Sequence, residues 1–308
     1  MTTPSNTMPE SFGSRPVAAA PTLATRPFYW SVRRELYEYR SIYLAPLAIA
    51  AVILLGFLFV LVRLPHTMRT AMSMEMPHHR DLIAQPFNFA AGLIMAAAFI
   101  ISVFYSLDAL YGERRDRSIL FWKSLPVSDF TTVLAKASIP LLVLPVIAYA
   151  VTLAIETVML LLSSVVVAAA GFSVADFWNR LELYHTMFGL LYHLVTVHML
   201  WYAPLYAWLL LISAWSRRAP FLWATLPPFA VGIFEKIAFH SAYFAAFMQW
   251  RFSGGREAIG NATGNVLDPE MHLTPGPFLA SPGLWLGLGF AALFLYLAAL
   301  LRRQRAPL

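Results

Sequence analysis

The sequence predicts an all-helical protein that crosses a membrane several times, and three observations carry that prediction. Of 308 residues, 59% are apolar and only 12% charged, against roughly 45–50% and 25% in soluble domains. Mean hydropathy is +0.64. Several apolar runs reach the length of about 20 residues that a spanning helix needs. A soluble globular enzyme is thereby excluded. Cysteine is absent, which removes disulfides, zinc–thiolate sites and cysteine nucleophiles together. The net charge of +6 reads as a topology signal rather than a nucleic-acid footprint, because position decides what such charges do in a membrane protein.

Residues 1–27 hold Pro4, Pro9, Pro16, Pro21 and Pro27 among Ser, Thr and Ala. Such a stretch buries too little apolar surface to offset its ordering entropy, which predicts a disordered tail. In 28–40, Phe28, Val32, Leu36 and Tyr39 repeat at helical spacing while Arg33, Arg34, Glu38 and Arg40 take other faces. The pattern fits a helix lying in the membrane interface, or else a plain cytosolic extension of the first span. One transmembrane domain over 28–305 follows, with spans expected at about 42–62, 87–107, 138–162, 188–213, 220–240 and 281–301. The fifth is the shortest clean run and needs Glu235, Lys236 and the apolar residues beyond them to reach across.

Orientation follows from the Lys/Arg bias. With six spans and a cytoplasmic start, 15 of the 22 basic residues fall on the inside, from Arg15 through the 114–136 loop and Arg217–Arg218 to Arg305. Both termini are expected to be cytoplasmic. The external segments expected are a moderate loop at about 63–86 and a long irregular one at about 240–280, rich in Gly and Pro.

The loop after the second span is the most informative part of the chain. It reads Asp108-Ala-Leu-Tyr-Gly-Glu-Arg-Arg-Asp-Arg-Ser-Ile-Leu-Phe-Trp-Lys-Ser-Leu-Pro-Val-Ser-Asp129 and runs on to Lys136. Charges come first and apolar residues follow; Leu125-Pro126 breaks the segment, and Ser128 or Asp129 can cap the next helix. A merely solvated loop has no use for Ile119, Leu120, Phe121 and Leu125. A short amphipathic helix pressed on a protein or lipid surface does.

Glu-Arg-Arg-X-Arg, an apolar stretch, Ser-Leu-Pro-Val-Ser and a lysine before the third span resemble the first intracellular loop of ABC-2 type transporter permeases. The resemblance extends to layout, an interfacial helix, six spans and a large external segment before the last, although only 108–136 is motif-grade. It implies a coupling helix that docks on a separate ATP-binding subunit. Glu113, Arg114, Arg115, Asp116 and Arg117 would be its polar face, and Ile119, Leu120, Phe121 and Trp122 its apolar part. It further implies export as the activity, a homodimer or a second permease, membrane lipid as surroundings, and the bacterial inner membrane as location. With no Walker A glycine loop here, ATP and Mg would sit on the partner, and no cofactor is expected on this chain.

Inside the membrane, Glu156 either lines a polar substrate path or lies near the outer headgroups, since burying a charge in a span costs about 2.5–3.5 kcal/mol. Glu235 and Lys236 read as outer-interface residues. His193 and His198, five residues apart, do not share a face of an α-helix, and with His185 they read as histidines hydrogen-bonded within a bundle. Met68, Met72, Met74, Met76, His78 and His79 make a dense soft-ligand stretch suited to Cu(I). Three of those methionines also form one helix face, so no metal is assigned. Two other function classes remain: a membrane scaffold or sensor that docks an ATPase without transporting, and an intramembrane hydrolase. The hydrolase has no Gly-X-Ser-X-Gly, His-Glu-X-X-His or paired intramembrane carboxylates behind it.

Overall fold

The computed structural model describes residues 26–72, 76–124, 126–181, 183–253 and 275–304. Every regular element among them is helical. Five helices are long and apolar enough to cross a membrane, and a sixth crossing results if one pair bent by 44° counts as a single span.

Helix α1 (Pro27–Glu38) opens with Pro27 at its first position, where a missing N–H costs nothing; that proline belongs to the helix and not to the tail. α2 (Ser41–Met72) and α3 (Met76–Asp108) follow. Both outrun the expected spans, and most of the expected 63–86 loop is helical. Of the Met/His stretch there, Met68 is buried, while the side chains of Met72, Met76, His78 and His79, and Met74 altogether, lie outside the described residues.

The expected coupling helix is not one rod. It is two single turns, α4 (Tyr111–Arg115) and α5 (Ile119–Lys123), separated at Arg117, whose φ of 58° is left-handed. A left-handed residue cannot continue a right-handed helix. α6 (Asp129–Ser138) is capped by Ser128, whose hydroxyl accepts from the Thr131 N–H at 3.0 Å. A π-turn at Ile139–Val143 joins it to α7 (Leu144–Ala169).

The segment expected as the fourth span is composite. α9 (Leu183–His193) runs into a π-helix over Leu194–Trp201, then α10 (Ala203–Trp215); a short α8 (Val174–Leu181) precedes them. Proline explains both π segments. Pro140 lies inside the first, and Pro204 follows the second and cannot donate to the Leu200 carbonyl, so the ladder widens to i→i+5. The Tyr202 N–H accordingly reaches the Val197 carbonyl at 2.9 Å.

α11 (Pro220–Phe239) is almost wholly exposed, as lipid contact requires of an apolar helix. The expected irregular segment after it contains two more helices, α12 (Tyr243–Phe252) and α13 (Pro275–Ala280). Its Gly254-Gly255 pair and the Asn261-Ala262-Thr263 pattern lie outside the described residues. α14 (Pro282–Gln304) closes the bundle against α10, while α2, α3 and α7 pack on one another. The main core cluster runs through these helices, including Phe57, Phe87, Ile94, Leu144 and Met159.

Candidate functional site

The ends of α1, α3, α6, α10 and α14 meet at one end of the bundle, and charge holds them there. Glu35 on α1 is 1% exposed, Glu113 on α4 is 2% and Lys136 on α6 is 0%. The Lys136 ammonium donates to both Glu35 oxygens at 2.9 and 3.0 Å and lies 3.2 Å from Glu113 Oε1. Arg34 donates to Glu35 Oε1 at 2.6 Å and Glu113 Oε1 at 2.7 Å. Arg302, near the end of α14, donates to Glu113 Oε2 at 3.2 Å and to Asp129 Oδ1. The Tyr105 hydroxyl adds a bond to Glu35 Oε2 at 2.8 Å.

Three carboxylates, Glu35, Glu113 and Asp129, thus meet three cations, Arg34, Lys136 and Arg302, and the formal charges of these six cancel; a fourth carboxylate, the more exposed Glu38, lies 3.6 Å from Arg34 and adds one negative charge at the edge. Cancellation matters here, because an unpaired buried charge costs several kcal/mol. Beside the cluster, the Tyr39 hydroxyl donates to Asp108 Oδ2 at 3.2 Å. Burial, reinforced by the Asp108 and Glu35 carboxylates, pushes the Tyr39 hydroxyl well above its usual pKa, so it stays a donor.

The short loop helices are fixed to this end from below. Ser213 Oγ accepts from the Leu110 and Tyr111 N–H groups at 3.0 and 2.9 Å. Arg114 donates to the Ser213 and Ser216 carbonyls, covering the carbonyls that α10 leaves open at its C-terminus. The Arg34 guanidinium lies 3.9 Å from the Trp122 ring centroid, and the Lys123 ammonium reaches the Arg303 carbonyl at 3.3 Å.

The residues expected on the docking face therefore divide. Glu113, Arg114 and Ile119 point inward, at 2%, 2% and 1% exposure. They tie the loop to the bundle and offer no surface. Arg115, Asp116 and Arg117 are exposed, with Arg115 engaged by Asp116 and Asp108. Leu120 and Phe121 stand out at 60% and 61% exposure, and Trp122 is half-buried under Arg34. On α1, Phe28 is exposed while Val32 and Leu36 pack against the core.

Sequence reasoning missed Glu35, Lys136, Asp129 and Arg302 as partners. Arg34, Arg114, Lys136 and Arg302 all counted there as free inside charges, and they are spent internally. The available signal was Glu35 itself, a carboxylate between arginines on the face that Val32 and Leu36 turn inward.

Glu156 is fully buried on α7, and neither carboxylate oxygen has a hydrogen-bond partner among the described residues. Glu235 has a local duty instead: it accepts from the Ser241 hydroxyl and the Tyr243 and Phe244 N–H groups at 2.6–2.8 Å, capping α12. Among the described residues no group of three or more His, Asp or Glu side chains is placed to hold a metal.

His193 and His198 come together, with ring centroids 5.4 Å apart. The π-helix is the reason, since its i→i+5 repeat turns a spacing of five into a shared face. The side chain of His185 lies outside the described residues. No protein-family profile, curated protein or solved structure matches the chain.

Proposed function

We propose that the chain is the membrane-spanning permease subunit of an ATP-driven exporter of the ABC-2 type, coupled to a separate ATP-binding subunit that carries ATP and Mg. In this reading the bent α9–α10 pair is one crossing, giving six. The charge-clustered end faces the cytoplasm with both termini, and the membrane is the bacterial inner one. A second copy or a paired permease completes the pathway.

The observation that supports the reading best is the division of the 111–123 loop. A lever needs a grip and a rigid attachment. Leu120 and Phe121 are an exposed apolar grip flanked by Arg115, Asp116 and Arg117. Behind them, Glu113 is tied to α1 through Arg34, to α6 through Lys136 and to α14 through Arg302. Force on the grip reaches three elements at once, and breaking such buried pairs costs about 3–5 kcal/mol each, so the end moves as a unit. Closure of the ATP-binding subunits would then tilt the bundle between inward- and outward-facing forms.

The absence of cysteine makes the test clean. Phe121→Cys, carrying a short thiol cross-linker, is expected to capture a co-expressed ATP-binding chain, whereas lipid-facing Phe59→Cys is not. Capture at neither position, or equally at both, defeats the proposal.

A further inference from the structure

A cavity of about 300 Å³ lies between α3 and the π-helical crossing, lined by Gly92, Met95, Ala96, Phe99, Leu190, His193, His198 and Tyr202. Its size is at the lower end of small-molecule sites, and a mostly apolar wall with a few convergent polar groups is their usual make-up. His193 is 9% exposed and His198 6%. Nδ1 of each lacks a hydrogen-bond partner among the described residues. Such orphaned groups cost roughly 1–3 kcal/mol each when left unmet, and here two of them lie in the wall of one space.

The wall is held in place. Tyr202 donates to the Phe252 carbonyl at 2.8 Å and the Trp201 indole to the Arg251 carbonyl at 2.9 Å. Arg251 donates back to the Trp201 carbonyl at 2.6 Å. The α12 helix thereby pins the C-terminal end of the π-helix, which keeps the two imidazoles on the cavity side.

We infer that this cavity binds an uncharged aromatic amphiphile carrying a hydroxyl or amide donor, with its ring against Phe99, Met95 and Leu190 and its polar end at His193 and His198. Charge decides the class. Among the described residues no Asp, Glu, Lys or Arg lines the space, so an ammonium or carboxylate would be buried without a counter-ion, at a cost far above that of a hydroxyl. A hydroxyl or an amide both donates and accepts, so it meets the unpartnered Nδ1 of these imidazoles in either tautomer. Gly92 and Ala96 are exposed and small, leaving the approach from the α3 side free of bulk. Small side-chain adjustments of the kind that accompany binding complete the fit. As the place where cargo lodges, the site rests on the exporter reading; as a binding site it does not.

The test uses the full-length chain in lipid nanodiscs without any ATPase, so its failure leaves the exporter reading untouched, and loss of the ATPase link leaves this site untouched. The probe is a trifluoromethyl-diazirinyl benzyl alcohol, whose carbene, formed in light with loss of dinitrogen, inserts into neighbouring bonds. Adducts mapped by mass spectrometry are expected on the peptides bearing Met95–Phe99 and Leu190–Tyr202 and to fall about tenfold with benzyl alcohol at roughly ten times its own Kd, as competition for one site requires. The benzylamine and benzoic acid forms of the probe are expected to label these peptides at least as poorly. His193→Leu/His198→Leu should lose the adducts. Ala96→Leu, which fills the space without touching either histidine, should lose them too and covers the case in which the double variant misfolds. Adducts spread equally over lipid-facing positions such as Phe59, unmoved by competitor and variants, would mean partition into lipid only and overturn the proposal.

Discussion

The carboxylate of Glu35 and the ammonium of Lys136, 101 positions apart in the chain, meet at 2.9 and 3.0 Å with almost no solvent contact. The pair joins the helix that precedes the first crossing to the start of the third. It also sets the terms on which either residue can be changed.

Lys136→Met is expected to destabilise the protein by about 3–5 kcal/mol, because it leaves Glu35 with Arg34 as its one remaining cation among the described residues and removes one cation from Glu113. The companion change Glu35→Gln should restore much of the loss, since the remaining charges again cancel. Thermal unfolding of the single and double variants in detergent measures both effects. Equal losses in the two would refute the pairing.

Exposure differs sharply between adjacent positions in the loop. Leu120→Cys and Phe121→Cys should react quickly with a membrane-impermeant maleimide, while Ile119→Cys, at 1% exposure, stays unlabelled, since thiol reactivity requires access. In sealed vesicles of known orientation the same reaction reports which side the loop occupies, and labelling from the periplasmic face would reverse the topology proposed here.

Arg117 holds a left-handed backbone at φ 58°, which costs a residue with a Cβ about 1–2 kcal/mol. Arg117→Gly should be neutral or stabilise by up to about 1 kcal/mol, the gain being reduced by the extra freedom of glycine in the unfolded chain. Arg117→Val should destabilise, because β-branched residues tolerate that region worst. Denaturant titration of the two variants gives the sign of each change.

A Cβ at Gly287 would overlap Arg251 Nη2, and one at Gly283 the Trp250 ring. These glycines let α12 lie close on α14. Gly287→Leu should therefore expel Arg251 from its bonds to the Trp201 and Gly283 carbonyls at about 1–3 kcal/mol, as overpacking does. Tryptic cleavage after Arg251 is expected to accelerate. Unchanged cleavage would show that α12 does not depend on this contact.

The crossings were legible because a run of apolar residues is a local signal that a window of about 20 residues captures. Their true lengths were not: α2 runs on to Met72 and α3 already begins at Met76, and nothing in His66 or Arg69 announces that the helix continues past the expected boundary. The charge cluster was invisible for another reason. Glu35, Glu113, Lys136 and Arg302 are spread over most of the chain, and counting Lys/Arg by loop treats each as solvated. Glu113 and Arg114 illustrate the error, since their place beside Arg115 and Asp116 in sequence suggested one polar face where the chain turns two of them inward. His193 and His198 failed through periodicity. A spacing of five excludes a shared face only if the helix is α, and the widened turn before Pro204 makes it π.

Arg302 lies 189 positions after Glu113 and 173 after Asp129, yet both depend on it. A nascent chain holds these two acids incompletely matched until the final helix has been inserted. The bundle can therefore settle only once the helix that carries Arg302 is in place, and a polypeptide cut short before that arginine would keep an exposed acidic flaw by which cellular quality control could recognise it as unfinished.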